Sequence, residues 1–295
     1  MMGLAALATA CSQDEAAESQ SQSEGILQVE TTDMGTRVAA FSNLWANYDQ
    51  ISLSLYNEGT TTDYLSGYTN SFRFTYNSGK WTPASQWKLN TSWATVYAAY
   101  PAQYSSLANG FYVQAGNNQE YLYATSRVTS QQPVAQLTFH PLMAQVNVNL
   151  RIQKDSTYRE GYHYKVTEVW LQNKQGTQSV PVSGYMNFPN GEITNLTFGS
   201  HGKVSLNAVD SLNISMLAIP YTTKDVQLRF RVNGTNAYVD LPENGQWEQG
   251  KTYTYWVTLH TTLPDVTLTL DRTNVSITPR TTASTTDLVV DANMN

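Results

Sequence analysis

The residue types that most often carry catalysis or bind metals are few in this sequence and lie far apart. Its four histidines are His140, His163, His201 and His260, and neither His140 nor His260 has a second candidate ligand two or four residues further on. The patterns GxSxG, GxGxxG, GxxxxGK and HExxH do not occur. Catalytic groups also assemble from distant positions, so a missing motif is no proof. The sequence nevertheless predicts no catalytic centre, no metal site and no cofactor.

Cys11 is the single cysteine of the chain, which excludes an intrachain disulfide framework and a Cys-rich zinc site. An apolar run over residues 4–10 precedes it and ends in the small residues Ala-Thr-Ala. This segment resembles a bacterial lipobox, in which the cysteine becomes the lipidated N-terminus of the mature protein. We therefore expect lipid attachment at Cys11, with residues 1–11 as a signal-peptide remnant. The alternative is an ordinary buried cysteine near a chain terminus.

Three tryptophans recur at six-residue spacing, at Trp81, Trp87 and Trp93. Exposed indole rings are suited to stacking on sugars or on a partner protein, so all three are candidate ligand-binding aromatics. The alternative is that each ring seals the core of a small sandwich, where burial of a large side chain contributes about 1.5–3 kcal/mol. Trp81 directly follows an Asn-Ser-Gly-Lys turn, which favours the core alternative.

The composition excludes further classes of function. Lys and Arg number 17 and Asp and Glu 23, and the resulting net charge of −6 gives no footprint for nucleic acid. An apolar run of the ~18 residues that a membrane-spanning helix needs does not occur. A hydrophobic fraction of 41%, with 12% aromatic residues, is too high for a disordered chain. The chain is therefore expected to fold around a packed core.

The elements that must carry these residues are strands. Apolar and polar residues alternate over residues 51–55, 72–76, 146–150, 226–232 and 253–259. Such alternation places one face of a strand on a core and the other in water, as in antiparallel sheets. Turn signals separate the runs, among them Asn-Ser-Gly at 77–79 and Asn-Gly at 190–191, which predicts a two-residue hairpin. Many short strands separated by turns predict an all-β sandwich protein.

We predict two tandem antiparallel β-sandwich domains with a C-terminal strand extension. Residues 12–25 are polar and acidic, so they form a disordered tether. The N-terminal sandwich is expected over residues 26–155 and the C-terminal sandwich over residues 156–262, because a polar stretch separates the two. Residues 263–295 then form the extension.

Several segments, taken in order, resemble the fimbrillin family, the subunits of Bacteroidales fimbriae (type V pili). These segments cover residues 35–38, 45–53, 74–81, 97–101, 121–126, 137–148 and 250–257. Each is weak alone, but their order behind a lipobox makes the resemblance specific. It implies two transthyretin-like sandwiches in a lipoprotein precursor. It also implies that an arginine-specific protease removes an N-terminal strand, and that the groove left behind accepts a C-terminal strand of the next subunit.

Arg37 is the expected processing site. It follows a short predicted strand at residues 26–30 and lies among glycine, threonine and alanine, an open context suited to proteolysis. Other arginines, such as Arg73 and Arg229, lie within alternating strands and are expected to be protected. The alternative is that Arg37 is a surface residue of an ordinary loop.

The C-terminal extension supplies the candidate donor strands. Its apolar residues that could fill a groove are Val266, Leu268, Leu270, Val275 and Ile277. An added strand would also satisfy an open sheet edge with main-chain hydrogen bonds. The alternative is that these strands complete the second sandwich of the same chain, and the sequence favours neither.

The sequence thus predicts a structural pilin subunit rather than an enzyme, exported as a lipoprotein to the outer membrane and cell surface, processed after an arginine and polymerised by strand exchange. Expected partners are other pilin subunits, an arginine-specific protease, an outer-membrane lipid anchor and a host or glycan ligand, with no nucleic acid. Stalk, anchor and tip roles stay open, with a preference for a stalk. The alternative is a surface lipoprotein whose tandem sandwiches bind a glycan or an adhesion partner.

Overall fold

The structure is a computed structural model of the chain. It describes residues 25–32, 45–66, 72–103, 110–116, 119–153, 164–174, 180–188, 190–203, 206, 208–209, 211–262, 265–271 and 275–279. All regular secondary structure in these residues is β, so the predicted all-β fold class is confirmed. None of the described residues belongs to a helix that could cross a bilayer.

The first half of the chain supplies nine strands, whose bounds are β1 (Gln28–Thr32), β2 (Gln50–Asn57), β3 (Phe72–Asn77), β4 (Lys80–Pro83), β5 (Ala94–Tyr100), β6 (Phe111–Gln114), β7 (Leu122–Val128), β8 (Val134–Thr138) and β9 (His140–Pro141). A six-stranded sheet in the order β4-β3-β2-β5-β7-β9 packs against the pair β1-β8. Inward residues of both layers form one core, to which β2 contributes Ile51, Leu53 and Leu55.

The second half supplies twelve strands, whose bounds are β10 (Ala144–Gln153), β11 (Lys165–Asn173), β12 (Val180–Met186), β13 (Ile193–Gly199), β14 (His201–Lys203), β15 (Ala208–Val209), β16 (Ser211–Ala218), β17 (Val226–Val232), β18 (Thr235–Asp240), β19 (Lys251–Thr262), β20 (Asp265–Leu270) and β21 (Ser276–Pro279). One sheet has the order β16-β10-β19-β20, with β21 also on β19. The other has the order β14-β11-β17-β18, with β15 on β11. The second core lies between them, with Trp247 and Tyr255 among its buried residues.

A third sheet joins the two halves. It has the order β13-β12-β6, so a strand from the first half pairs with the β12–β13 hairpin of the second. A separate cluster of buried residues fills this junction, with Phe111, Met143 and Met186 at its centre. The two sandwiches are therefore connected by main-chain hydrogen bonds as well as by packing.

The polar stretch that was predicted to separate the two domains does not coincide with the change from the first core to the second. β10 lies within the range predicted for the first sandwich, yet it pairs with β16 and β19 and packs in the second core. The division into residues 26–155 and 156–262 stays a prediction. The hydrogen bonding favours a boundary just before Ala144 instead of one in the polar stretch after Gln153.

The alternating segments of the sequence all form strands, but two of the pairings are parallel. β1 pairs in parallel with β8, and β10 pairs in parallel with β19. A parallel pair needs a long crossover connection, which the intervening strands supply in both cases. The turn between β3 and β4 has positive φ at Ser78 and Gly79, as tight hairpins require. The β12–β13 hairpin also forms where predicted, but residues 187–192 connect its strands, not two residues alone.

Candidate functional site

The segment before Arg37 lies inside the first sandwich. The side chains of Leu27 and Val29 are 1% and 6% exposed and belong to the first core. The alternate residues Gln28 and Glu30 are exposed, so this strand follows the predicted period of two. At about 1.5–3 kcal/mol for each buried aliphatic side chain, Leu27 and Val29 contribute substantially to the stability of the fold.

The segment of residues 25–32, which contains β1, has main-chain hydrogen bonds on both of its sides. On one side, β1 is paired along its whole length with β8, and Gln28 N donates to Pro133 O at 2.9 Å. On the other side, Leu27 N donates to Trp87 O at 2.9 Å, and Leu89 N donates to Gly25 O at 2.7 Å. β1 therefore fills a slot between β8 and residues 87–89. Among the described strands, β8 pairs with β1 alone.

A glycine permits the close entry of the chain into this slot. Gly25 has φ +62°, and a Cβ atom there would lie 2.9 Å from the Cβ of Ser130. Further along, Trp81 Nε1 donates to Thr31 Oγ1 at 3.4 Å, and Gln136 Nε2 donates to Glu30 Oε2 at 2.7 Å. These contacts fix the register of β1 at both of its ends.

The C-terminal extension packs on its own chain in this structure. β20 and β21 pair antiparallel with successive parts of β19, whose other edge is paired with β10. Asp271 N continues the ladder between them by donating to Trp256 O at 2.9 Å. β20 also approaches β18, the edge strand of the facing sheet. In this arrangement the extension completes the second sandwich of its own chain, which is one of the two alternatives that the sequence left open.

The candidate donor residues are less buried than those of β1. Leu268, Leu270 and Val275 are half-buried and pack against the second core, whereas Ile277 is 59% exposed. Val266 pairs with Thr261 in the β19–β20 ladder. The described residues of the extension thus form two strands along the open edge of their own sheet, and Leu268, Leu270, Val275 and Ile277 are incompletely covered.

The three candidate tryptophans have different surroundings. Trp81 and Trp87 are 9% and 8% exposed in the first core, where their rings contact other aromatic rings. Trp81 lies 4.9 Å from the ring of Trp45, and Trp87 lies 4.8 Å from the ring of Phe72. Their faces are occupied by the protein, so a ligand could not stack on them without opening the core. Trp93 is half-buried and lies under the Arg127 guanidinium, 4.5 Å from its ring centroid.

Two predicted sites, Cys11 and Arg37, lie outside the described residues. Lipidation and processing are therefore expectations from the sequence, as is the tether. The histidines that the structure describes do not come together, and no group of three or more His, Cys, Asp or Glu side chains among the described residues could hold a metal ion. His260 shares a 2.8 Å hydrogen bond with the Thr269 hydroxyl, a contact between β19 and β20.

Sequence reasoning missed a cavity on the outer face of the six-stranded sheet. It has a volume of about 800 Å³, and its lining includes Tyr56, Asp63, Tyr97 and Phe188. Burial, with a smaller effect from the Asp63 carboxylate, raises the pKa of the Tyr56 phenol. The available signal was that Ser54-Leu55-Tyr56 and Val96-Tyr97-Ala98 carry large or polar residues opposite their core-facing ones. It did not show that a hairpin more than 80 residues further on covers this face.

Comparison with known proteins identifies the family. The family described as Fimbrillin-like matches residues 36–279. The fold is similar to that of a candidate cell adhesion protein from Bacteroides ovatus, at 15% identity and a TM-score of 0.58, covering 88% of this chain and 98% of that one. It is also similar to a fimbrial protein from Bacteroides vulgatus, at 15% identity and a TM-score of 0.57, covering 87% and 99%.

The fold is also similar to that of a candidate cell adhesion protein from Bacteroides uniformis, at 15% identity and a TM-score of 0.56, covering 87% of this chain and 100% of that one. No curated protein matches the chain significantly. At such low identity the solved structures show a shared sandwich fold, whereas the family match extends over most of the sequence. The chain therefore belongs to the fimbrillin-like family, whose members are structural pilin subunits and not enzymes.

Proposed function

We propose that this protein is a pilin subunit of a cell-surface fimbria, and that it polymerises by strand exchange after cleavage at Arg37. In this scheme the chain is exported as a lipoprotein anchored through Cys11. The family supports an adhesion-type subunit that assembles with other pilin subunits at the cell surface. The observation that carries the finer proposal is that β1, the strand before Arg37, fills a two-sided slot in the first core.

Cleavage after Arg37 would separate β1 from the rest of the chain. The released strand would leave β8 without its ladder partner and residues 87–89 without theirs. It would also leave two apolar sockets, those of Leu27 and Val29, exposed to water. An empty slot with an open edge is a strong acceptor for another strand, because both hydrogen bonds and apolar burial are regained.

The C-terminal extension has the pattern that such a slot requires. Leu27 and Val29 point into the core at a spacing of two residues, and Val266, Leu268 and Leu270 repeat the same spacing. In its own chain β20 is a half-buried edge strand. Its transfer to a deeper slot on another subunit would bury more apolar surface than it gives up, which favours exchange.

The test is assembly after proteolysis. The purified chain is digested with an arginine-specific protease, and the new N-terminus and the ladder of polymers on a denaturing gel without boiling are recorded. We expect cleavage between Arg37 and Val38, followed by a ladder. Arg37→Gln should abolish both, whereas Arg151→Gln, a change at an exposed arginine in β10, should abolish neither.

A second variant separates the two roles of the extension. Deletion of residues 265–295 should leave a folded chain that is cleaved normally but forms no ladder. If the shortened chain does not fold, these strands are needed to complete their own sandwich, which supports the alternative. A ladder from the deleted chain would refute donation of the extension.

Lipidation is tested independently. Intact-mass analysis of the membrane-extracted protein should show acyl chains on Cys11, and Cys11→Ala should release the protein from membranes. An unmodified Cys11 in the membrane fraction would refute the anchor but leave strand exchange unaffected.

A further inference from the structure

We propose that the outer face of the six-stranded sheet binds a neutral oligosaccharide, in a groove made of two adjoining cavities that share Tyr97. This site is distinct from the assembly slot and does not depend on strand exchange. The first cavity has a volume of about 800 Å³ and the second about 520 Å³. Both lie within the range of ~300–1,000 Å³ that is usual for ligand sites.

Aromatic rings form the floor and one wall of the first cavity. Tyr56 of β2 and Tyr97 of β5 lie side by side, with ring centroids 5.7 Å apart. Phe188, at the start of the β12–β13 connection, packs on Tyr97 at 5.0 Å. Tyr56 and Tyr97 are only 7% and 8% exposed, so the half-buried ring of Phe188 supplies the aromatic face on which the C–H groups of a sugar ring can pack.

Hydroxyl groups form the opposite rim of the first cavity. Thr60, Thr61 and Thr62 follow β2 and are exposed, and the Asp63 carboxylate stands beside them. This loop is held in place by its own hydrogen bonds, since Thr60 Oγ1 donates to Asn57 O at 2.9 Å and Asn57 Nδ2 donates to Thr62 Oγ1 at 3.1 Å. A rim that is ordered before binding loses less entropy when a ligand is bound.

The second cavity continues the groove across β5 and β7. Thr95, Thr125 and Ser126 line it with hydroxyl groups, and the Arg127 side chain lies at its end. Arg127 lies over the ring of Trp93, at 4.5 Å from the centroid, and forms an ion pair with Glu58. Trp93 thereby supports the end of the groove, whereas Trp81 and Trp87 belong to the core.

The chemistry of this lining favours a sugar over other ligand classes. An acyl chain would displace water from the Thr61, Thr95 and Thr125 hydroxyls without offering them hydrogen-bond partners, which is costly. A phosphate or carboxylate ligand would require cations, but the Arg127 charge is already paired with Glu58, and among the described lining residues the other charged group is Asp63. Rings combined with hydroxyl donors and acceptors match a neutral hexose or N-acetylhexosamine chain.

The experiment measures binding of the full chain to three neutral probes, chitohexaose, maltohexaose and lacto-N-neotetraose, by isothermal titration. Hexagalacturonate serves as the acidic probe. We expect wild-type protein to bind at least one neutral probe and to bind it more tightly than the acidic one. Thr61→Arg, which fills the rim of the groove, should weaken that binding at least tenfold without changing the melting temperature.

Two controls match these changes elsewhere on the surface. Thr235→Arg introduces the same side chain at an exposed position of β18, and it should leave binding unchanged. Phe188→Ala should also weaken binding at least tenfold, whereas Phe198→Ala, at a 37% exposed phenylalanine of the same hairpin, should not. If Phe188→Ala fails to fold, Thr61→Arg decides.

Three results would overturn the proposal. One is that the wild-type chain binds none of the neutral probes. Another is that it binds hexagalacturonate more tightly than the best neutral probe. The third is that Thr61→Arg binds as well as Thr235→Arg, which would place any sugar binding outside this groove.

Discussion

The first strand, β1, and the first strand of the C-terminal extension, β20, are attached to the sandwiches in opposite ways. β1 and the residues directly before it lie in a slot with partners on both sides, and the inward side chains of Leu27 and Val29 are at most 6% exposed. β20 lies at the edge of a sheet, and its inward side chains stay half-buried. Similar sequence patterns therefore produce a deeply inserted strand at one end and a loosely covered strand at the other.

This difference indicates which strand can leave spontaneously. Local opening is easiest where few apolar contacts are lost and where the backbone has a partner on one side only. β20 and β21 meet these conditions, whereas β1 does not. Local opening of the extension is therefore expected to cost less free energy than local opening of β1.

The largest effect is expected at Leu27, the inward residue directly before β1. Leu27→Ala should lower the free energy of unfolding of the uncleaved chain by about 2–5 kcal/mol, because Leu27 is 1% exposed. Urea titration followed by tryptophan fluorescence measures this change. A loss below about 1 kcal/mol would mean that β1 is as loosely held as the extension.

The next effect concerns the core beneath the extension. Burial raises the pKa of the Tyr255 phenol to about 12 from 10.0, against a hydrogen bond from Trp247 Nε1 at 3.0 Å. The neutral phenol therefore stabilises the folded state fully below pH 10, and this contribution is lost as the pH rises toward 12. Between pH 9 and pH 11.5, the free energy of unfolding of wild type should therefore fall by about 2 kcal/mol more than that of Tyr255→Phe, because the variant has no phenol at this position.

Urea titrations at the two pH values measure this difference. Tyr238→Phe, at a 48% exposed tyrosine of β18, is the matched control and should behave as wild type. An identical alkaline loss in the Tyr255 variant and in wild type would show that another group controls the high-pH limit.

The inward residues of the extension should matter less than those of β1. Leu268→Ala should cost about 1–2 kcal/mol, because a half-buried leucine loses part of the transfer free energy of a buried one. Ile277→Ala, at a 59% exposed position of β21, should stay within about 0.5 kcal/mol. If Leu268→Ala were as costly as Leu27→Ala, the two strands would be equally anchored and the contrast would fail.

The smallest effect is expected at the polar contact of the extension. Thr269→Val removes the hydroxyl that shares a 2.8 Å hydrogen bond with His260, but Thr269 is exposed and water can replace the contact. The loss should be about 0.5 kcal/mol or less. A larger loss in the same urea titration would show that this side-chain contact, and not apolar packing, holds β20 on β19.

Much of the fold could be predicted because alternation is a local property. The runs at 51–55, 72–76, 146–150, 226–232 and 253–259 all form strands, since the period of two requires no knowledge of the partner strand. The partners could not be predicted in the same way. Nothing local indicates that β10 pairs with β19, more than 90 residues further on, which is why the predicted domain limit falls after β10 and not before it.

For the candidate site, the sequence predicted where the strands lie but not how deeply they are buried. The spacing of apolar residues identified the strand around Val29 and the extension, but not the depth of either. The tryptophans show the same limit, because Trp81 and Trp87 pack in the core while Trp93 is half-buried under the Arg127 guanidinium, although all three have the same spacing in the sequence. Burial depends on what covers a side chain, and that covering comes from distant residues.

The sequence by itself determined the all-β class, the strands at the alternating runs and the family, because each rests on residue types and spacing along the chain. The tertiary structure alone decided three further features: the two-sided slot of β1, the edge position of β20 and the groove beside Tyr97. Each of these depends on strands that are far apart in sequence. Their pairing follows from the burial of whole sheets, which no local pattern specifies.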